Sequence, residues 1–90
     1  MHAVFTAVTV NDQAAGVARL NDEIVPGVSA SPGFVAGYWL RLPGNKGVSI
    51  VAFESEDAAQ AMVNMIRERP TVDDSVVLDT IEVGEVVANA

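Results

Sequence analysis

Residues 34–70 read FVAGYWLRLPGNKGVSIVAFESEDAAQAMVNMIRERP, and the order of signals in this stretch decides the fold. Phe34–Leu42 has the aromatic and branched content of a strand, Pro43-Gly44-Asn45-Lys46-Gly47 forms a turn, and 48–53 is a strand running back beside the first. Ser55 then caps a helix whose first turn holds Glu56 and Asp57, where unpaired amides favour negative charge. Ala58, Ala59, Met62, Met65 and Ile66 recur at spacings of three and four, which makes an apolar stripe. Arg67 and Arg69 suit the carboxyl end of this helix, and Pro70 stops it.

Upstream, Ser31-Pro32-Gly33 is a break, and before it lie one strand and one helix. Residues 1–10 (MHAVFTAVTV) are rich in Val, Thr and Phe and end at the turn-forming pair Asn11-Asp12. From there Ala14, Ala15, Val17, Ala18, Ile24 and Val25 follow helical spacing, with Asn11 or Asp12 placed to cap the first amides. Arg19 and Glu23, four apart, pair on its solvent side for about 0.3 kcal/mol. Pro26 and Gly27 either end the helix near Ile24 or kink it on towards Ser29. Downstream, Val72-Asp73-Asp74-Ser75 is a turn, and 76–87 (VVLDTIEVGEVV) alternates as a last strand bent at Gly84.

Strand, helix, strand, strand, helix, strand is the split βαβ order of an α+β ferredoxin-like sandwich. It predicts a four-stranded antiparallel sheet with both helices on one face. The strands are apolar on both sides: Val4 and Val8 oppose Phe5 in the first, and Val48 and Ile50 oppose Val51 and Phe53 in the third. The uncovered face therefore calls for a partner, and a second copy of the chain is the expected one. Ninety residues, half of them apolar, with no linker or internal repeat, make one domain over 1–90.

Five Lys and Arg against twelve Asp and Glu give a net charge of -7, the wrong sign for nucleic acid or anionic lipid. Without cysteine there is no disulfide, thiolate nucleophile or Cys-based metal site, and one histidine cannot build a multi-histidine centre. The glycines form neither GxGxxG nor a P-loop, so a nucleotide cofactor is not expected. The chain opens on no signal-peptide pattern and has no long apolar run. A cytoplasmic location is the resulting expectation.

Four pieces of this sequence, Pro32-Gly33-Phe34, Gly37-Tyr38-Trp39, Phe53-Glu54-Ser55-Glu56 and Glu82-Val83-Gly84-Glu85-Val86-Val87, resemble the dimeric α/β-barrel superfamily. Within it they are similar to small actinobacterial proteins grouped with antibiotic-biosynthesis monooxygenases. The resemblance spans nearly the whole chain and identifies fold better than chemistry. It implies a homodimer in which two sheets pair through their open faces as a barrel. It also implies a small-molecule cavity and, among the activities of such proteins, cofactor-independent oxygenation of an aromatic or polyketide-like molecule. The alternative is a dimeric module that binds a small ligand or protein without turnover. Oxygenase relatives often carry Trp where this chain has Phe53, and a His in or after the second helix, where this chain has none. Haem degradation of the usual kind is accordingly not implied, and no cofactor is expected.

The candidate ligand-binding residues are His2, Trp39, Arg41, Ser49 and Phe53, with no catalytic residue assigned. His2 is the only side chain whose ordinary titration lies near neutral pH, which suits a general base. Tyr38 and Trp39 must point to opposite faces, and Trp39 shares its side with Gly37 and Arg41. That mixture suits an anionic aromatic ligand, or alternatively a dimer seam. Ser49 and Thr6 offer hydroxyls from within the sheet but no base to activate them. Asp79 and Glu82 have opposite parity and are expected on different faces, which argues against a paired-carboxylate site. Met62 and Met65 read as core filler.

Overall fold

A computed structural model describes residues 1–68 and 76–90. Its strands are β1 (His2–Val10), β2 (Phe34–Leu42), β3 (Lys46–Phe53) and β4 (Val76–Glu85). They form one antiparallel sheet in the order β2-β3-β1-β4, the ferredoxin-like arrangement that the element order predicts. The helical parts are α1 (Gln13–Arg19), a π-helical turn (Leu20–Ile24), α2 (Val25–Ser29) and α3 (Glu56–Glu68). Arg69, Pro70 and the turn at 72–75 lie outside the described residues.

The first helix does continue through Pro26, by widening. The Val25 amide reaches back five residues to the Leu20 carbonyl, so the spiral is loosest just before the proline ring, which would otherwise crowd the carbonyl four residues earlier. Asp12 caps its start through the Ala15 amide at 3.1 Å, and Ser55 caps α3 through the Ala58 amide at 3.2 Å.

The hairpin is tighter than the sequence suggests. Leu42 already pairs with Lys46, leaving a three-residue loop in which Gly44 (φ 79°) and Asn45 (φ 61°) both take the left-handed conformation. Glycine and asparagine tolerate that conformation best, so the strand begins two residues before Val48. In β4 the irregularity falls at Asp79 and not at Gly84, which pairs regularly with Ala3. Thr80 faces Ala7 and Leu78 faces Val8, so Asp79 is the extra residue of a bulge. The bulge cancels the parity expectation. The Asp79 carboxylate meets Thr9 (2.7 Å) and Lys46 (3.6 Å) on the same sheet face on which Glu82 lies opposite Phe5.

The two faces of the sheet differ sharply. On the helix side, Val4, Val51 and Phe53 are fully buried and pack with Val28, Ala59, Met62 and Val63. Val63 thus joins the apolar stripe of α3, while Met65 is partly exposed. On the other side Phe5, Tyr38, Leu40, Leu42, Ile50 and Val77 form an uncovered apolar surface. Among the described residues no helix is long and apolar enough to cross a membrane.

Candidate functional site

The core fills only one half of the space between sheet and helices. Phe53, Phe34 and Val51 occupy the end of the sheet near His2, with the two phenyl rings edge to face at 6.3 Å. Towards the other end the inner side chains shrink to Thr6, Ser49 and Gly47, and the helical roof carries Gly27. Volume is left over there, as a cavity of about 790 Å³. That is ample for a drug-sized molecule, for which about 300 Å³ is the usual minimum.

Trp39 stands where core and cavity meet. Its ring lies back along β2 over Gly37: a Cβ on Gly37 would come within 2.9 Å of the indole Cη2. The glycine is what lets the indole lie flat, packed on the core on one side and lining the cavity on the other. Behind it the Thr6 and Ser49 hydroxyls, both buried, are hydrogen-bonded to each other across β1 and β3. Val28, Met62, Met65 and Ile66 supply apolar lining. At the far end α1 comes down close to the sheet at Gly16, where a Cβ would lie 3.2 Å from Val10 Cγ1 and 3.3 Å from Val76 Cγ2.

Charge is distributed unevenly around this space. Arg41, on the inner face of β2, and Arg19, on the helical roof, both line it, although the chain holds only five basic residues. Lys46 also borders it, but its ammonium lies on the outer side of the sheet, donating to Thr9 Oγ1 at 2.7 Å. Among the described lining residues the sole carboxylate is Glu23, whose Oε2 is 3.6 Å from Arg19 Nε. No carboxylate pairs with Arg41 among the described residues.

The structure therefore brings together three of the five residues singled out by sequence, Trp39, Arg41 and Ser49. It assigns Trp39 and Arg41 to the helix-covered face, so the aromatic residues available to a seam on the open face are Phe5 and Tyr38, the latter two-thirds exposed. Phe53 is wholly buried in the core. His2 points to the inner face but four residues, about 13 Å, down β1 from Thr6. There its Nε2 is 3.3 Å from Glu56 Oε2, while its Nδ1 is buried without a hydrogen-bond partner. Among the described residues no cluster of His, Asp and Glu is grouped to hold a metal ion.

Sequence reading missed the helical contribution. Arg19, Leu20, Asn21, Glu23 and Ile24 all line the cavity, nearly consecutive residues that a regular helix would spread around its circumference. Four of the five, Leu20, Asn21, Glu23 and Ile24, belong to the π-helical turn. Pro26 and Gly27, just beyond that run, were the signals of irregularity, and they mark a break without specifying the wider turn.

No known family profile matches the chain, and no curated protein sequence matches it. Among solved structures it is similar to the crystal structure of an MhuD point mutant with two manganese protoporphyrin IX molecules bound per active site. The TM-score is 0.71 at 20% identity, over 100% of this chain and 98% of that one. At that identity the likeness establishes a common fold: this chain is a ferredoxin-like α+β domain.

Proposed function

We propose that the protein binds a flat, apolar organic acid in the cavity between sheet and helices, as a homodimer closed through the outer sheet face. The observation that carries this reading is the composition of the cavity wall: an indole laid flat, an aliphatic and thioether lining, and arginines at positions 19 and 41 in a chain of net charge -7. An aromatic ring stacks on Trp39 and an acidic group is drawn to the guanidinium groups. The apolar outer face supports the dimer, because six large side chains there are left exposed among the described residues.

The enzymatic form of this reading is cofactor-independent, monooxygenase-like turnover of an aromatic or polyketide-like acid. The alternative, binding without turnover, is favoured by one specific feature. The lining hydroxyls of Thr6 and Ser49 satisfy each other, and the single imidazole is remote, so the described lining presents no activated base to the ligand. A porphyrin, the ligand class in the similar solved structure, has the flat apolar body and carboxylates that this wall suits. The lining has no imidazole for a porphyrin iron, so it fits the organic ring and not a histidine-held metal.

Trp39 is the only tryptophan, so its fluorescence reports on the cavity directly. Titration with anthracene carboxylate is expected to quench it saturably, and the uncharged carboxamide to bind more weakly. Absence of saturable quenching by either compound refutes the binding reading. Oxygen-dependent conversion of the bound acid, lost in Trp39→Ala while the dimer persists, would establish turnover; full recovery of the unchanged acid would leave a binding module.

A further inference from the structure

Glu23 is the one acidic side chain among the described residues of a wall that otherwise carries positive charge, and it sits on the π-helical turn that forms part of the roof. Its contact with Arg19 is long, 3.6 Å, and asymmetric: the Arg19 side chain is a quarter exposed and that of Glu23 about two-thirds. Such a solvent-facing pair holds only weakly, and its carboxylate can swing into water at little cost while Arg19, the more buried partner, remains part of the cavity lining. The pair also departs from an ordinary helix-surface bridge in its placement, because both partners line a cavity deep enough for a ligand.

We propose that Glu23 is an internal competitor for the acidic group of the ligand. Its carboxylate holds Arg19, and an organic anion entering the cavity takes Glu23's place on the guanidinium. Arg41, which has no carboxylate partner among the described residues, attracts the anion without such a competitor. Glu23 thereby sets a threshold: a neutral apolar molecule gains nothing by displacing it, whereas a carboxylate, sulfonate or phosphate gains a charge-assisted contact. The inference rests on the acid-binding reading above and adds the residue that tunes selectivity for charge.

Two compounds with the same aromatic body separate the possibilities, anilinonaphthalene sulfonate and the uncharged phenylnaphthylamine. Binding is followed at the indole N–H resonance of Trp39, which excludes contributions from the outer face. Glu23→Gln, a substitution at an exposed position, is expected to tighten the sulfonate about threefold, the size of a weak surface pair, and to leave phenylnaphthylamine unchanged. The double variant Arg19→Gln with Glu23→Gln should lose that gain. Equal tightening of both compounds, or no change for the sulfonate, overturns the role of Glu23. Equal binding of the two compounds by the unaltered protein would instead refute the acid preference itself, whatever Glu23 does.

Discussion

The two faces of one sheet are built from similar residues and put to different use. On the inner face Val4, Val51 and Phe53 are sealed by α2 and α3, and the packing stops halfway, where Thr6, Ser49 and Gly47 are too small to fill the gap. On the outer face Phe5, Ile50, Leu40 and Tyr38 are as apolar but are left exposed among the described residues. Hydrophobicity alone does not distinguish a core from a surface here. The distinction comes from connectivity, because each helix returns the chain to the same side of the sheet.

The comparison breaks most readily at Phe53. Phe53→Asp removes a burial worth about 3–5 kcal/mol and adds an unpaired buried carboxylate, so it should abolish cooperative thermal unfolding, read by circular dichroism. A variant with an unchanged melting temperature would mean that the inner face is misassigned. The matching change on the other face is Ile50→Asp, half-exposed in the chain. It should convert a dimer to a folded monomer in sedimentation velocity, with secondary structure retained. If the dimer persists, its seam lies elsewhere.

A smaller effect sharpens the boundary between core and cavity. Thr6→Ala leaves the buried Ser49 hydroxyl without its partner and should cost about 1–2 kcal/mol in urea unfolding. Thr6→Val combined with Ser49→Ala should cost less than the sum of the two single changes, because no hydroxyl is then stranded. Strict additivity would show that the two side chains do not depend on each other.

How much of this was legible in the sequence follows from which signals were local. β2 and the start of α3 are set by nearby breakers and a cap, Ser31-Pro32-Gly33 and Ser55, and the structure places them where those residues predict. The alternation of β2 correctly groups Gly37, Trp39 and Arg41 on one side. It does not say which side the helices cover, since both are apolar, and so left Trp39 open to either cavity or seam. Asp79 shows the limit of counting by twos: a single bulge residue moved its carboxylate to the face of Glu82. His2 shows another limit, for the strand delivers it to the inner face but at the end filled by Phe53. The resemblance implies a small-molecule cavity, but its place in the fold was not legible, because its lining combines small residues distant in sequence with a π-helical turn that has no simple sequence mark.

The central claim, that one face pairs and the other holds a ligand, is tested most directly by a native mass spectrum of the intact protein with anthracene carboxylate added. The account predicts twice the 9.4 kDa chain mass, carrying up to one acid per chain. A single-chain mass would contradict the pairing of the outer faces, and a doubled mass that never takes up the acid would contradict the cavity.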